Sequence, residues 1–321
     1  MIKYVVKRFV QMIVVLFIVS VLVFLLTNFI GDPVDMLVPE NATLEQIESA
    51  RARLGLDKPL PVQYGIFLND VLHGNLGKSY TYGLPAMSLI VERMPATLEL
   101  VAVAATLVLL VSIPLGVYAG AYPKRKTSKL IMSGSILGIS LPSFWLGMMM
   151  IYIFAVVLRV LPASGRGEPV DVLGVKLSLF APGGIRYIIL PAVTLALTNL
   201  ATMLRLTRSG ILENMRQDYI KFARAKGVPA KSILFGHALK NALIPVITVF
   251  GLDLGTMIAF TTITETIFAW PGMGKLLIDA INKADRPIIV AYLMAASCMF
   301  VVLNFIVDIL YTLVDPRIEL R

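Results

Sequence analysis

Six runs of apolar residues, separated by polar stretches of unequal length, organise the chain: 9–30, 95–121, 131–159, 185–204, 243–267 and 288–314. Each reaches the roughly 20 residues an α-helix needs to cross about 30 Å of hydrocarbon. Lipid offers the backbone no hydrogen-bond partner, so each run is predicted to be a helix. Tilt, or extension into the headgroups, is expected to take up the excess length of the longer runs. The pattern predicts an all-α integral membrane protein of six transmembrane helices. Residues 1–30 would be an anchor, 31–94 an insert, and 95–321 a five-helix core with a polar loop at 205–242. Lys3, Lys7 and Arg8 precede the first run as they would in a signal peptide. That run is too long for an h-region and lacks a small-x-small cleavage site, so it is expected to be retained.

The polar stretches carry local signals. Thr43-Leu44-Glu45-Gln46 has the form of a capping box, and Gly55 suits the end of the helix it starts. Pro61 and Pro85 sit where first-turn prolines suit two further short helices. An insert of this size has limited core and is expected to lean on the helix ends. In the third run Pro142 removes a backbone hydrogen bond and predicts a kink. Gly116/Gly120, Gly134/Gly138 and Gly251/Gly255 are pairs at the spacing that lets helices approach closely. In the polar loop, Asp218 is a candidate N-cap, Gly227 a candidate left-handed terminator, and Pro229 discourages continuation. A helix over Tyr219–Lys226 would put Tyr219, Phe222 and Ala223 on one face, with Lys221 and Arg224 elsewhere. Two turns are unstable alone, so this helix needs something to dock against.

Composition narrows the class. The 321 residues are 57% hydrophobic and 15% charged, with mean hydropathy +0.82, which excludes an ordinary soluble domain. A net charge of +9 would suggest nucleic acid for a soluble chain; here the distribution explains it without one. Lys3, Lys7, Arg8, Lys124, Arg125, Lys126, Lys129, eight residues between Arg205 and Lys240, Arg317 and Arg321 make 17 of the 29 basic residues. They fall on one side of the membrane, mostly in short loops. Both termini and the 205–242 loop are therefore expected to be cytoplasmic, with 31–94 extracytoplasmic. Some of these cations would meet anionic lipid headgroups. One cysteine, Cys298, and two histidines, His73 and His237, support neither a disulfide framework nor a Cys/His metal site. No cofactor is expected.

Candidate chemistry is sparse. His73 to Ser79 ends in the Gly-Lys-Ser of a phosphate loop, but Leu72 stands where the first glycine belongs and no strand precedes it. The chain is thus expected to carry no ATPase and to be no enzyme. Glu99, Asp253, Glu265 and Asp308 fall within or near spans, where acids are costly and read as functional by default. Glu99 and Glu265 lie near span ends, within reach of headgroups or water, and Asp308 could pair with Arg317 or cap a neighbouring helix. Asp253 is the deepest. It either faces a substrate pathway or bonds to a neighbouring helix.

Tyr219-Ile220-x-x-Ala223-Arg224-Ala225-Lys226-Gly227, followed by His237-Ala238-Leu239-Lys240-Asn241-Ala242, resembles the cytoplasmic EAA loop of ABC importer permeases. The form is that of the binding-protein-dependent dipeptide/oligopeptide/nickel branch. It departs from the broad consensus Glu-Ala-Ala-x3-Gly-x9-Ile-x-Leu-Pro: Lys221 and Phe222 replace the first two residues, and His237 and Lys240 replace Ile and Pro. Further stretches are similar to that branch: Gly31-Asp32-Pro33, Leu54 to Leu60, Gly74-Asn75-Leu76-Gly77, Leu141 to Trp145, Leu161 to Gly165, Glu265 to Gly274 and Asp308 to Ile318. The resemblance implies a permease subunit in a prokaryotic inner membrane that forms half of a translocation pathway with a homologous second permease. It also implies separate cytoplasmic ATPase subunits and an extracytoplasmic substrate-binding protein. Tyr219, Phe222, Ala223, Arg224 and Gly227 would couple it to the ATPase, and Asp253 would be the candidate pathway residue. Di- or oligopeptides would be the substrate; nickel, metal chelates, glutathione or another small solute are alternatives. An ion-coupled secondary transporter would show inverted repeats and charges at mid-membrane, and an intramembrane enzyme would need a nucleophile with a base or a metal cluster in the spans.

Overall fold

A computed structural model describes residues 2–27, 34, 43–53 and 55–314. Its helices are α1 (Ile2–Thr27), α2 (Leu44–Arg53), α3 (Leu60–Leu72), α4 (Ala86–Ala121), α5 (Lys126–Ser140), α6 (Ser143–Met150), α7 (Gly184–Asn214), α8 (Asp218–Ala225), α9 (Ala230–Ser232), α10 (Leu239–Ile267), α11 (Met273–Asn282) and α12 (Arg286–Val314). A π-helical stretch, Ile151–Val157, continues α6, and a second, Ile233–Ala238, joins α9 to α10. Between α6 and α7 lies a small antiparallel hairpin of β1 (Val170–Val172) and β2 (Val175–Leu177). Its two-residue turn places Leu173 and Gly174 at φ 54° and 82°, the handedness that fits strand twist. The expectation of an all-α chain is corrected to that extent.

Five helical stretches are long and apolar enough to cross a membrane: Val5–Leu26, Ala86–Ala121, Gly184–Asn214, Ala230–Ile267 and Arg286–Ile309. The third apolar run of the sequence is not among them. Pro142 breaks it rather than kinking it: α5 stops at Ser140, Leu141 turns extended, and Pro142 becomes the residue before α6. Proline lacks the N–H that would carry the ladder across. A second correction concerns Pro85, which precedes the 36-residue α4 rather than a short helix. Hydropathy placed that span at 95 because Glu92 and Arg93 interrupt the apolar pattern; the backbone is already helical from Ala86. Pro61 does sit in the first turn of α3. Thr43 and Gln46 form the reciprocal capping box, at 3.0 and 3.4 Å, and Gly55 ends α2 at φ 68°. Gly31-Asp32-Pro33, Leu54 and residues 315–321, including Arg317, lie outside the described residues.

Small residues set the helix seams. A Cβ on Gly116 would lie 2.6 Å from Thr207 Cβ, and one on Gly120 2.7 Å from Ile211 Cβ, so α4 and α7 touch almost backbone to backbone. Gly251 and Gly255 meet Val307 and Phe300 in the same way along α10 and α12. Gly138 lies against Leu197 of α7, while Gly134 faces open space. Where lipid is as apolar as the side chains, this close packing rather than water exclusion holds helices together. The main core gathers Leu100, Ala104 and Val108 of α4, Ile188 and Leu195 of α7, Met257 and Ile258 of α10, and Trp270. A second cluster joins the start of α4 to α11 and α12 through Ile90, Met273 and Ile288. A third, at the opposite end of α4, joins Val117, Ile211, Ile220, Ile233 and Ala242.

Candidate functional site

The third cluster carries the candidate docking helix. α8 occupies Asp218–Ala225, one residue earlier than its pattern suggested, with Gln217 as the residue before it. Asp218 is therefore not the cap: it is exposed and pairs with Lys221 at 2.7 Å. That hydrogen bond, then the ammonium charge, holds the Asp218 carboxyl below its ordinary range. Gly227 ends the helix at φ 77°, with no atom within 4 Å of where a Cβ would point. The helix is anchored by Ile220, fully buried among Val117, Ile211, Ile233, Ala238 and Ala242. Sequence pattern had not singled out Ile220, because a single isoleucine in a basic loop carries no periodicity of its own. Ala223 packs beside that cluster.

Successive helical residues differ by 100°, so Phe222 points nearly opposite to Ile220. It is 62% exposed, with the Lys226 ammonium 4.5 Å from its ring centre. Arg224 is also exposed. Tyr219 is 39% exposed, and its hydroxyl donates to Asn214 Oδ1 at 2.7 Å and accepts from Asn241 Nδ2 at 3.0 Å. α8 thus presents the Phe222 ring, the partly exposed Tyr219 ring and a set of cations outward on a braced, two-turn base.

The carboxylates sort by partner. Glu99, 6% exposed, accepts from Arg166 Nη2 at 2.6 Å and Nε at 3.0 Å, from Ser178 Oγ at 3.1 Å, and from the Leu179 N–H. Arg166 also reaches the Lys176 carbonyl and stacks over Trp270. Glu265 is fully buried; it accepts from Thr97 Oγ1 at 2.6 Å and from the Lys275 N–H at 2.9 Å, so it caps α11. Gly272 leaves the room, since a Cβ there would overlap that carboxylate. Thr97 Oγ1 in turn accepts from the Met273 N–H, and Trp270 Nε1 donates to the Ala96 carbonyl. Both glutamates are thus enclosed in protein, away from the headgroup or water contact expected for them. Asp308 pairs with Arg8 at 3.3 Å, which ties α12 to α1; the Arg317 pairing considered for it lies outside the described residues.

Asp285, which the sequence reading missed, is fully buried and accepts from Ser79 Oγ at 2.5 Å and from the N–H groups of Tyr80 and Thr81. Its signal was slight: an acid directly before a helix, adjoining Arg286. In the 73–79 segment, Ser79 is thus bonded to Asp285, and the next helix begins at Ala86. Asp253 stands apart. It is half-buried on α10, beside an exposed stripe of Leu252, Thr256, Phe260 and Ile263. Among the described residues no donor reaches its carboxylate, and no group of three or more His, Cys, Asp and Glu could hold a metal ion.

Long apolar helices packed through glycine seams, with a braced amphipathic helix at one end, define a multi-span helical membrane protein of the permease class. The solved inward-facing methionine ABC transporter MetNI shares the fold, with TM-score 0.54 and 18% identity over 72% of this chain and 98% of that one. Residues 112–320 match the family described as the binding-protein-dependent transport system inner membrane component, and residues 1–101 match its N-terminal counterpart. The chain belongs to this family of ABC-transporter permeases. It is 40% identical to the probable D,D-dipeptide transport system permease DdpB of Escherichia coli K12, over 94% of this chain and 92% of that one. It is 40% identical to the di/tripeptide transport system permease DppB of Pseudomonas aeruginosa UCBPP-PA14, covering 99% of each. It is 37% identical to the oligopeptide transport system permease AppB of Bacillus subtilis 168, over 99% of this chain and all of that one.

Proposed function

We propose that this chain is one of two homologous permease subunits of an importer that moves di- and oligopeptides across a prokaryotic inner membrane. The observation that carries the reading is Phe222. A large aromatic stands exposed on a short basic helix whose opposite side is buried and braced, the form of a knob that a partner's apolar socket can take. The occupant is a cytoplasmic ATPase subunit, which supplies the ATP hydrolysis. The peptide cargo is supported by relatives aligned over nearly the full length, which are named as dipeptide, di/tripeptide and oligopeptide permeases.

In this reading α5 and α6 together make the sixth crossing, both termini and α8 are cytoplasmic, and the 31–94 insert receives an extracytoplasmic binding protein. Cations of the 205–240 loop that do not face the ATPase rest on anionic lipid headgroups. Asp253 and the exposed stripe of α10 line the pathway, completed by the second permease. The test is capture of the tagged full chain from its native membrane in mild detergent. Wild type brings down an ATPase and a second multi-span permease, and a Tyr219→Ala/Phe222→Ala double variant loses the ATPase. Wild type arriving alone overturns the proposal.

A further inference from the structure

Ile220 explains why α8 stays on the bundle but not how it keeps its orientation. Apolar burial is non-directional, so one buried isoleucine leaves a two-turn helix free to swivel. Directional restraint comes from the neighbouring position. Tyr219 lies 100° around the helix from Ile220, and its hydroxyl sits between two amides from different elements. Asn214, the last residue of α7, accepts at 2.7 Å through Oδ1 and uses its own Nδ2 on the Gly210 carbonyl at 2.8 Å. Asn241, in the first turn of α10, donates at 3.0 Å. In each of these three bonds a donor meets an acceptor. Gly210 also lies against Ala242, where a Cβ would be 3.0 Å from Ala242 Cβ, so α7 and α10 already touch beside it.

We propose that the Asn214–Tyr219–Asn241 hydrogen-bond chain is the strap by which a push on α8 moves α7 and α10 together, with Tyr219 as its positioning residue. This rests on the importer reading. Phe222 meets the ATPase, and the partly exposed Tyr219 beside it, bonded to Asn214 and Asn241, transmits the displacement. The strap assigns Asn214 and Asn241 a role in energy coupling although neither is on the docking surface.

Two measurements test it on intact material. The first is amide hydrogen exchange of the full chain in nanodiscs, which needs no partner. Tyr219→Phe keeps the ring and deletes the hydroxyl, and exchange across 220–225 is expected to rise roughly fivefold, the worth of one hydrogen bond. The second is the whole importer in proteoliposomes with labelled dialanine, read as peptide moved per ATP hydrolysed. That ratio falls by a similar factor in Tyr219→Phe and in Asn241→Ala, and the double variant is no worse than either alone. A merely structural tyrosine would change yield or melting and leave the ratio intact. Wild-type exchange and a wild-type ratio in Tyr219→Phe overturn the strap, as do losses that multiply independently. An unmutated chain that captures no ATPase overturns the importer reading and the coupling role with it. That failure is recognisable because it appears without any substitution.

Discussion

Single residues here do one of two things: they hold loops to helices, or they leave a surface unfilled. Arg166 is of the first kind. Its removal strands a carboxylate that is 3% exposed, and breaking a buried pair by deleting one partner costs about 3–5 kcal/mol. Arg166→Ala is therefore expected to lower the melting temperature of the purified protein by several degrees, and Arg166→Lys by less; equal melting of all three would contradict the pairing. Gly227 separates torsion from packing. With open space around it, a Cβ meets nothing, so the penalty of Gly227→Val comes from φ 77°, about 1–2 kcal/mol. Gly227→Asn, which tolerates that region, should keep ATP-driven peptide uptake that Gly227→Val loses. Asp253 is of the second kind. In Asp253→Asn, uptake should drop while assembly and ATP hydrolysis persist; loss of the assembled complex would make it a structural acid instead.

At the scale of elements, helix existence followed from apolar run length, and ends followed from Gly55 and Gly227. Breaks and latches were less legible. Pro142 was read as a kink because a proline inside an apolar run says that a bond is lost, not whether neighbours restore it. The hairpin at 170–177 is three residues per strand, too short for alternation to register. Glu99 and Glu265 read ambiguously and Asp285 was missed because their side-chain donors lie 67 to 206 positions away, and no local pattern encodes a partner that distant. For α8, the sequence suggested a docking face, which stands as a proposal, and missed the anchor. Ile220→Ala removes the side chain buried between Val117 and Ala242, at a cost of about 2–4 kcal/mol. Exchange across α8 in the isolated chain should then rise steeply, whereas Phe222→Ala should leave exchange unchanged and weaken only ATPase capture.

For the whole molecule, the two ends of α4 define two different surfaces. The Val117 end carries α8 and most of the loop cations; the Ala96–Glu99 end carries the hairpin loop and the α10–α11 connection. The sidedness proposed above makes a direct prediction. In a Cys298→Ser background, a cysteine at Lys226 should react with a membrane-impermeant thiol reagent only in inverted vesicles. One at Asp171 should react only in right-side-out cells. The reverse result would flip the molecule and remove the ATPase from α8.

One turn of α4 bears more than its share of the architecture. Ala96 takes the Trp270 indole, Thr97 holds both Glu265 and the start of α11, and Glu99 holds Arg166, Ser178 and Leu179. Loops that are far apart in the chain therefore share a single mounting point. Anyone building chimaeras by swapping these loops between relatives has to graft the 96–99 turn along with them. A loop moved alone would arrive without its socket.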